Sequence, residues 1–150
     1  MSKYVKNFAG KFLFEIFFMK NKIASIMLYI TSAGVIIFGL VYLFTPEIMP
    51  YHERYLGITH EELSPKIAEL FLYMLKGAGG MALSIGITLF MMVRWYFSKG
   101  DKFIPIIISV MMIIALLPLL FITLSIGLYT PWWLVSIIII LVITAIIINR

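Results

Sequence analysis

An all-α integral membrane protein, a four-helix bundle with both termini on the cytoplasmic side, is the fold class this sequence predicts, and three observations predict it. Hydrophobic residues make up 63% of the 150 positions and mean hydropathy is +1.08, above the ~45–50% apolar share of water-soluble domains. The charged residues, 13% of the chain, gather between long apolar runs instead of marking one face of each run. Nine of the twelve basic residues, Lys3, Lys6, Lys11, Lys20, Lys22, Arg94, Lys99, Lys102 and Arg150, fall where this topology meets the cytoplasm, the bias that orients membrane helices.

The elements follow in order. Over residues 1–22 the polar positions Lys3, Lys6, Asn7, Gly10, Lys11 and Glu15 recur at three- and four-residue steps, with Tyr4, Phe8, Phe12, Ile16 and Met19 on another face. This pattern predicts an amphipathic helix lying in the headgroup plane on the cytoplasmic face or packing beneath the bundle. Its long basic lead and the lack of a small-residue cleavage site argue against a signal peptide.

The four-span domain then occupies 23–150. A first span over about 23–44 carries no charge and ends at Thr45 and Pro46. Ser25, Ser32 and Gly39 recur at sevens along it, a small-residue stripe on which another helix backbone can sit closely. The polar connection holds Glu47, His52, Glu53, Arg54, His60, Glu61 and Glu62. Thr59 with Glu62 three residues later matches a capping box, and Ser64 before Pro65 matches an N-cap, so a short helix should lead into the second span.

That second span, about 67–93, contains Glu69, Lys76 and the small residues Gly77, Ala78, Gly79, Gly80, Ser84 and Gly86. Gly77, Gly80 and Gly86 are its expected packing positions, and Gly80 to Ser84 is a small-xxx-small step. Arg94, Lys99, Asp101 and Lys102 surround a turn at Gly100, with Trp95, Tyr96 and Phe97 suited to an interfacial aromatic belt. The third span, about 103–128, is expected to kink at Pro118, which lacks the N–H that would continue the helical ladder. The fourth, about 131–148, opens at Pro131 with Trp132 and Trp133.

Several chemistries are excluded at once. The chain contains no cysteine, which removes disulfides, thiolate metal ligands and Cys-X-X-Cys redox pairs. Both histidines lie in the polar connection, so no paired intramembrane His is present to hold haem. The net charge of +5 sits beside the spans and reads as a lipid and topology signal, not as a nucleic-acid surface. The glycines at 77–80 lie inside an apolar helix with no preceding strand, so they are packing residues and not a phosphate loop. No cofactor motif and no catalytic motif is identifiable.

Lys76 stands out, because an ionisable residue about 16 Å along a membrane helix is a functional candidate. Equally, its flexible stem can snorkel to the outer interface. Glu69, Tyr73, Lys76, Gly80 and Ser84 share one side of the second span and outline a candidate polar cleft, with Glu47 a candidate partner for Lys76. In the outer loop, His52 with Glu53, and His60 with Glu61 and Glu62, hold atoms suited to a metal site or to acid/base work, at spacings that match no recognised metal motif.

The small residues of the first span with Gly34, Gly39 and the exit at Pro46, the glycine-rich second span from Gly77 to Gly86, and the segment Pro50, Tyr51, His52 with Leu56 and Gly57 together resemble the DoxX-like group of small four-helix bacterial membrane proteins. The resemblance covers the chain from about Ile23 onward. It implies a four-helix bundle in the cell membrane and a quinone- or lipid-facing accessory role beside membrane redox systems, and it transfers no catalytic residue.

The expected function is therefore that of a non-catalytic accessory protein binding lipid, quinone or a partner membrane protein, with a homo-oligomer as one such assembly. The alternative is a small-solute or proton-coupled transporter working through a polar cleft around Lys76. A metal-dependent enzyme on the outer face ranks third.

Overall fold

The computed structural model describes residues 3–101 and 103–149, with side chains from Lys11 onward apart from Leu13 and Phe14. The described residues are helical, without strands. Helix α1 spans Lys3–Phe44, α2 Pro50–Leu56, α3 Pro65–Trp95, α4 Ile104–Ile126 and α5 Trp132–Asn149, with single 3-10 turns at His60–Glu62 and Phe97–Lys99. Four of these helices, α1, α3, α4 and α5, are long and apolar enough to cross a membrane.

The first of them departs from the sequence expectation. No break occurs near residue 22, and α1 runs on for 42 residues, about 63 Å at ~1.5 Å per residue. The cause is local: between Lys11 and Ala33 there is neither Gly nor Pro, the residues that most disfavour a helix interior. Residues 3–22 and the first span are therefore one element. The face carrying Tyr4 and Phe8, with Lys3 and Lys6, lies outside the described side chains, as do Lys102 and Arg150.

Polar signals set the remaining ends. Glu62 accepts the Thr59 N–H at 2.8 Å, closing the turn that leads to α3. The Ser64 carbonyl, not its hydroxyl, accepts from Ile67 and Ala68, with Pro65 supplying the fixed φ of a first helical residue. Asp101 accepts the N–H groups of Phe103 and Ile104 at 2.8 and 3.3 Å and so caps α4. The α4–α5 turn is held by buried Thr130, whose hydroxyl lies 2.7 Å from the Thr123 carbonyl and 2.9 Å from that of Gly127.

Packing runs in the order α3, α1, α5, α4. Helix α1 lies against α3 most extensively and then against α5, α5 lies against α4, and α3 scarcely touches α4. Along the α1–α3 seam the backbones are in direct contact. A Cβ on Gly39 would stand 2.6 Å from the Leu83 nitrogen and 2.9 Å from the Gly79 oxygen, and one on Gly79 would stand 2.6 Å from the Leu43 nitrogen. Farther along, the Ser32 hydroxyl donates to the Gly86 carbonyl at 2.8 Å in a buried position. Beyond it, the Ser98 hydroxyl, which donates to the Val93 carbonyl at 2.7 Å, lies 3.4 Å from the Ser25 hydroxyl, and the Asn21 amide donates to the Ser98 carbonyl at 3.2 Å. Residue number rises along α1 as it falls along α3, so the two helices are antiparallel.

The α3 side of this seam is Gly79 and Gly86, seven residues apart. Gly77 and Gly80, expected as packing positions, have nothing within 4 Å of an added Cβ, because each is turned ~100° or more from the Gly79 direction.

The continuous core of Ala24, Leu28, Leu89, Val93, Phe97, Ile104, Ile108, Met112, Val142 and their neighbours draws all four long helices together around the Phe97–Lys99 turn. At that same end Phe17, Asp101 and Asn149 line one crevice. On the outside the helices stay apolar. Ile106, Ile113, Ile114, Phe121, Ile140 and Ile147 are among many large hydrophobic side chains left exposed, the surface of helices that are hydrophobic all round.

Candidate functional site

The expected polar cleft is not formed. Glu69, Tyr73, Lys76 and Ser84 are all exposed on the outward side of α3, and Glu47 is exposed just beyond α1. The reason is rotational. Helix α3 gives α1 the face of Ala68, Leu75, Gly79, Gly86 and Val93, and the polar stripe is centred roughly 130° away around the helix. Within that stripe the Tyr73 hydroxyl donates to Glu69 at 2.5 Å, leaving Lys76 on an open surface.

The outer-loop residues are held by the loop's own backbone. Glu53 accepts the His60 N–H at 2.8 Å and Glu62 accepts that of Thr59, so both carboxylates stabilise the fold of the connection. The Nδ1 atoms of His52 and His60 are buried without a hydrogen-bond partner, and burial pushes the His52 imidazole below the usual His range. Glu61 is exposed. Among the described residues no group of three or more His or carboxylate side chains comes together in a way that could hold a metal ion.

What the fold does create is an apolar cavity of 420 Å³ in the gap between α3 and α4, within the ~300–1,000 Å³ range of small-molecule sites. Ala78, Met81, Ala82 and Ile85 form its α3 wall, and Ile114, Ala115, Pro118 and Leu119 its α4 wall. Val35, Phe38 and Tyr42 of α1, with Leu134, Val135 and Ile138 of α5, form the back. Val135 and Ile138 are buried whereas Met81 and Ile114 are exposed, so the mouth opens sideways between α3 and α4 onto the apolar outer surface.

Two sequence features make the gap. The Phe97–Lys99 turn pins α3 to α4 at one end, after which the helices diverge. Each wall also includes alanines, Ala78 and Ala82 on α3 and Ala115 on α4, whose short side chains leave space between the longer ones. Pro118 lies within α4, which remains helical through it. Having no N–H, it leaves the carbonyl of Ile114, one turn earlier and also in the wall, without its usual helical partner.

The cavity's polar feature is Tyr42, whose hydroxyl is hydrogen-bonded to that of Tyr51 on α2. Tyr51 in turn lines a second recess of 390 Å³ with Arg54, Tyr55 and the turn Ile126–Tyr129. There the Arg54 guanidinium lies over the Tyr129 ring, 5.0 Å from its centroid, tying α2 to the α4–α5 turn.

Sequence reasoning passes over Tyr42 and Ala115, and places Ala78 only among the small residues of the second span and Tyr51 only in the segment that carries the resemblance, because nothing in their spacing links the helices that carry them. Compared with known proteins, the chain matches no family model, no curated protein and no solved structure.

Proposed function

We propose that this protein is a non-catalytic, multi-pass protein of the cell membrane that binds the apolar chain of a lipid or quinone in the cavity between α3 and α4. The observation that carries the reading is the cavity itself: almost wholly apolar, closed at the back by buried side chains, and open sideways on a surface that is itself apolar. A site built to turn over a polar substrate would carry convergent ionisable groups, and this wall has Tyr42 alone. At ~30 Å³ per chain carbon, the share a water takes in the liquid, 420 Å³ accommodates about 14 such groups, the bulk of one long chain.

Orientation follows from charge. Lys11, Lys20, Lys22, Arg94 and Lys99 cluster toward the end carrying the Phe97–Lys99 turn, which the positive-inside bias assigns to the cytoplasm; α2 and its connection then face outward. On this topology Lys11, Lys20 and Lys22 of α1 lie on the cytoplasmic side, where basic residues are drawn to anionic headgroups. The resemblance to DoxX-like proteins agrees with an accessory role in which the bound chain, or a partner membrane protein meeting the same gap, is the cargo or the contact.

The test is native mass spectrometry of gently solubilised protein, comparing wild type with Ala115→Trp, which fills the cavity from the α4 wall. Wild type is expected to retain about one lipid or quinone per chain that the variant releases. Equal retention by both proteins, with unchanged thermal unfolding, would remove the cavity from the account.

A further inference from the structure

We infer that the chain site continues into a headgroup site at the α2 end, where Arg54 with Tyr51, Tyr55 and Tyr129 takes the anionic phosphate of the lipid whose chain enters the cavity. This rests on the reading of the cavity as a chain site. The two recesses share a wall: Tyr42 belongs to the apolar cavity, Tyr51 to the recess above it, and their hydroxyls are hydrogen-bonded to each other. A ligand with a long chain and a polar head would therefore span both across one pair of tyrosines.

The chemistry of the upper recess points to phosphate. With its guanidinium carbon 5.0 Å from the Tyr129 ring centroid, Arg54 is held beside the recess, and its fork of N–H donors suits paired bonds to phosphate oxygens. Tyr51 and Tyr55 add hydroxyls at the same recess. Arg54 is also the one basic residue between Thr45 and Ser64.

The connection carries carboxylates too, and their placement decides which side of Arg54 is used. Glu53 and Glu62 line the recess on its other side, with Gly57 and Thr59. Each of them is bonded to a backbone N–H there, of His60 and Thr59 respectively. The tyrosine-lined recess has no carboxylate in its wall, so an anion is drawn to that side. Three tyrosines alone would suit a quaternary ammonium; the guanidinium among them reverses the preference.

The experiment measures binding of phosphatidylglycerol, of diacylglycerol with the same chains but no phosphate, and of an isoprenyl monophosphate to the full chain in neutral detergent, for wild type, Arg54→Gln and Ala115→Trp. Wild type should prefer phosphatidylglycerol to diacylglycerol by ~10-fold or more, the scale of a hydrogen bond to a charged group. Arg54→Gln, which also gives up the contact with the Tyr129 ring and should lower thermal unfolding only slightly, should abolish that preference while diacylglycerol still binds. Ala115→Trp should weaken every ligand. Isoprenyl monophosphate binding more tightly than phosphatidylglycerol, with the advantage lost in Arg54→Gln, supports the same site and names a single-chain phosphate as its source; the reverse order names a diacyl lipid. Equal binding of the two diacyl lipids, preference for diacylglycerol, or a preference that survives Arg54→Gln overturns the headgroup site even if Ala115→Trp still weakens all ligands. If Ala115→Trp weakens none of them, the chain site itself fails.

Discussion

Replacing Gly79 with alanine should separate α1 from α3, and the size of the effect follows from the geometry of their crossing. The added Cβ would lie 2.6 Å from the Leu43 nitrogen and 2.8 Å from the Gly39 oxygen, where ordinary contact begins at 3.4 Å. Both obstacles are backbone atoms, so no side chain can rotate away. The helices must move apart by at least 3.4 − 2.6 = 0.8 Å. Overpacking on this scale costs about 1–3 kcal/mol, and it also strains the neighbouring Ser32 to Gly86 bond on the same seam. Alanine returns roughly 0.5–1 kcal/mol by restricting the unfolded chain, leaving a net loss centred on about 1 kcal/mol and reaching about 2.5 kcal/mol at most. Gly77→Ala is the matched control, because nothing lies within 4 Å of its new Cβ, and it should be neutral or slightly stabilising. Unfolding of the detergent-solubilised protein by increasing SDS, followed by loss of helix signal, measures both. Equal midpoints for the two variants, or a larger loss for Gly77→Ala, would refute the crossing as described.

Ser32→Ala removes a buried hydroxyl bonded to the Gly86 carbonyl, a carbonyl that keeps its helical partner, and should cost about 1 kcal/mol in the same assay; no change would mean that the bond contributes nothing. Lys76→Met replaces a side chain on the exposed side of α3 and should alter stability by less than ~0.5 kcal/mol, whereas a loss of several times that would reveal a partner buried with it. The His52 imidazole, pushed down by burial, gives a signed pH effect. The unfolded chain takes up its proton near the ordinary value of ~6.5, before the folded chain does. Stability should therefore be full above that value and fall as pH drops from it toward the folded pKa. Thermal unfolding between pH 8 and 5 should show this extra fall in wild type relative to His52→Gln, and parallel profiles would contradict it.

Much of the architecture could be read from the chain because the bilayer's demand is simple: about 20 apolar residues per crossing, with polar residues at the ends. The four expected spans lie close to the helices, and Thr59, Ser64 and Pro65 mark the entry to α3. The junction at Lys22 was less legible, since an amphipathic pattern reports which face is polar but not whether the helix continues; only a breaker would have divided α1. The run at 77–80 hid the crossing residue for a similar reason. Four small residues in succession cover the full circle of a helix, and only the α1–α3 register selects Gly79. The clue was the spacing of seven from Gly79 to Gly86, which matches Ser25, Ser32 and Gly39 on the partner helix.

The site was the least legible part. Glu69, Tyr73 and Lys76 are conspicuous as polar residues in an apolar run, yet the face they share is turned away from every neighbouring helix. The cavity has no such marker. It arises from a missing contact between α3 and α4, bounded by alanines that look like ordinary filler and by Pro118, whose effect depends on what lies across from it. The meeting of Tyr42 with Tyr51 depends on how α2 folds back over the bundle, which local spacing does not determine.

Occupancy of the gap between α3 and α4 by a lipid chain can be read by photo-cross-linking in vesicles of a phospholipid carrying a diazirine in its acyl chain, with adducts mapped by peptide sequencing. Exposed residues such as Ile140 and Ile147 will react in any case. Additional adducts are expected on Val135 and Ile138, which are 2% and 7% exposed and are reached from the bilayer through the cavity, and they should be lost in Ala115→Trp. Adducts confined to the exposed surface, identical in wild type and variant, would mean that no lipid chain enters the gap.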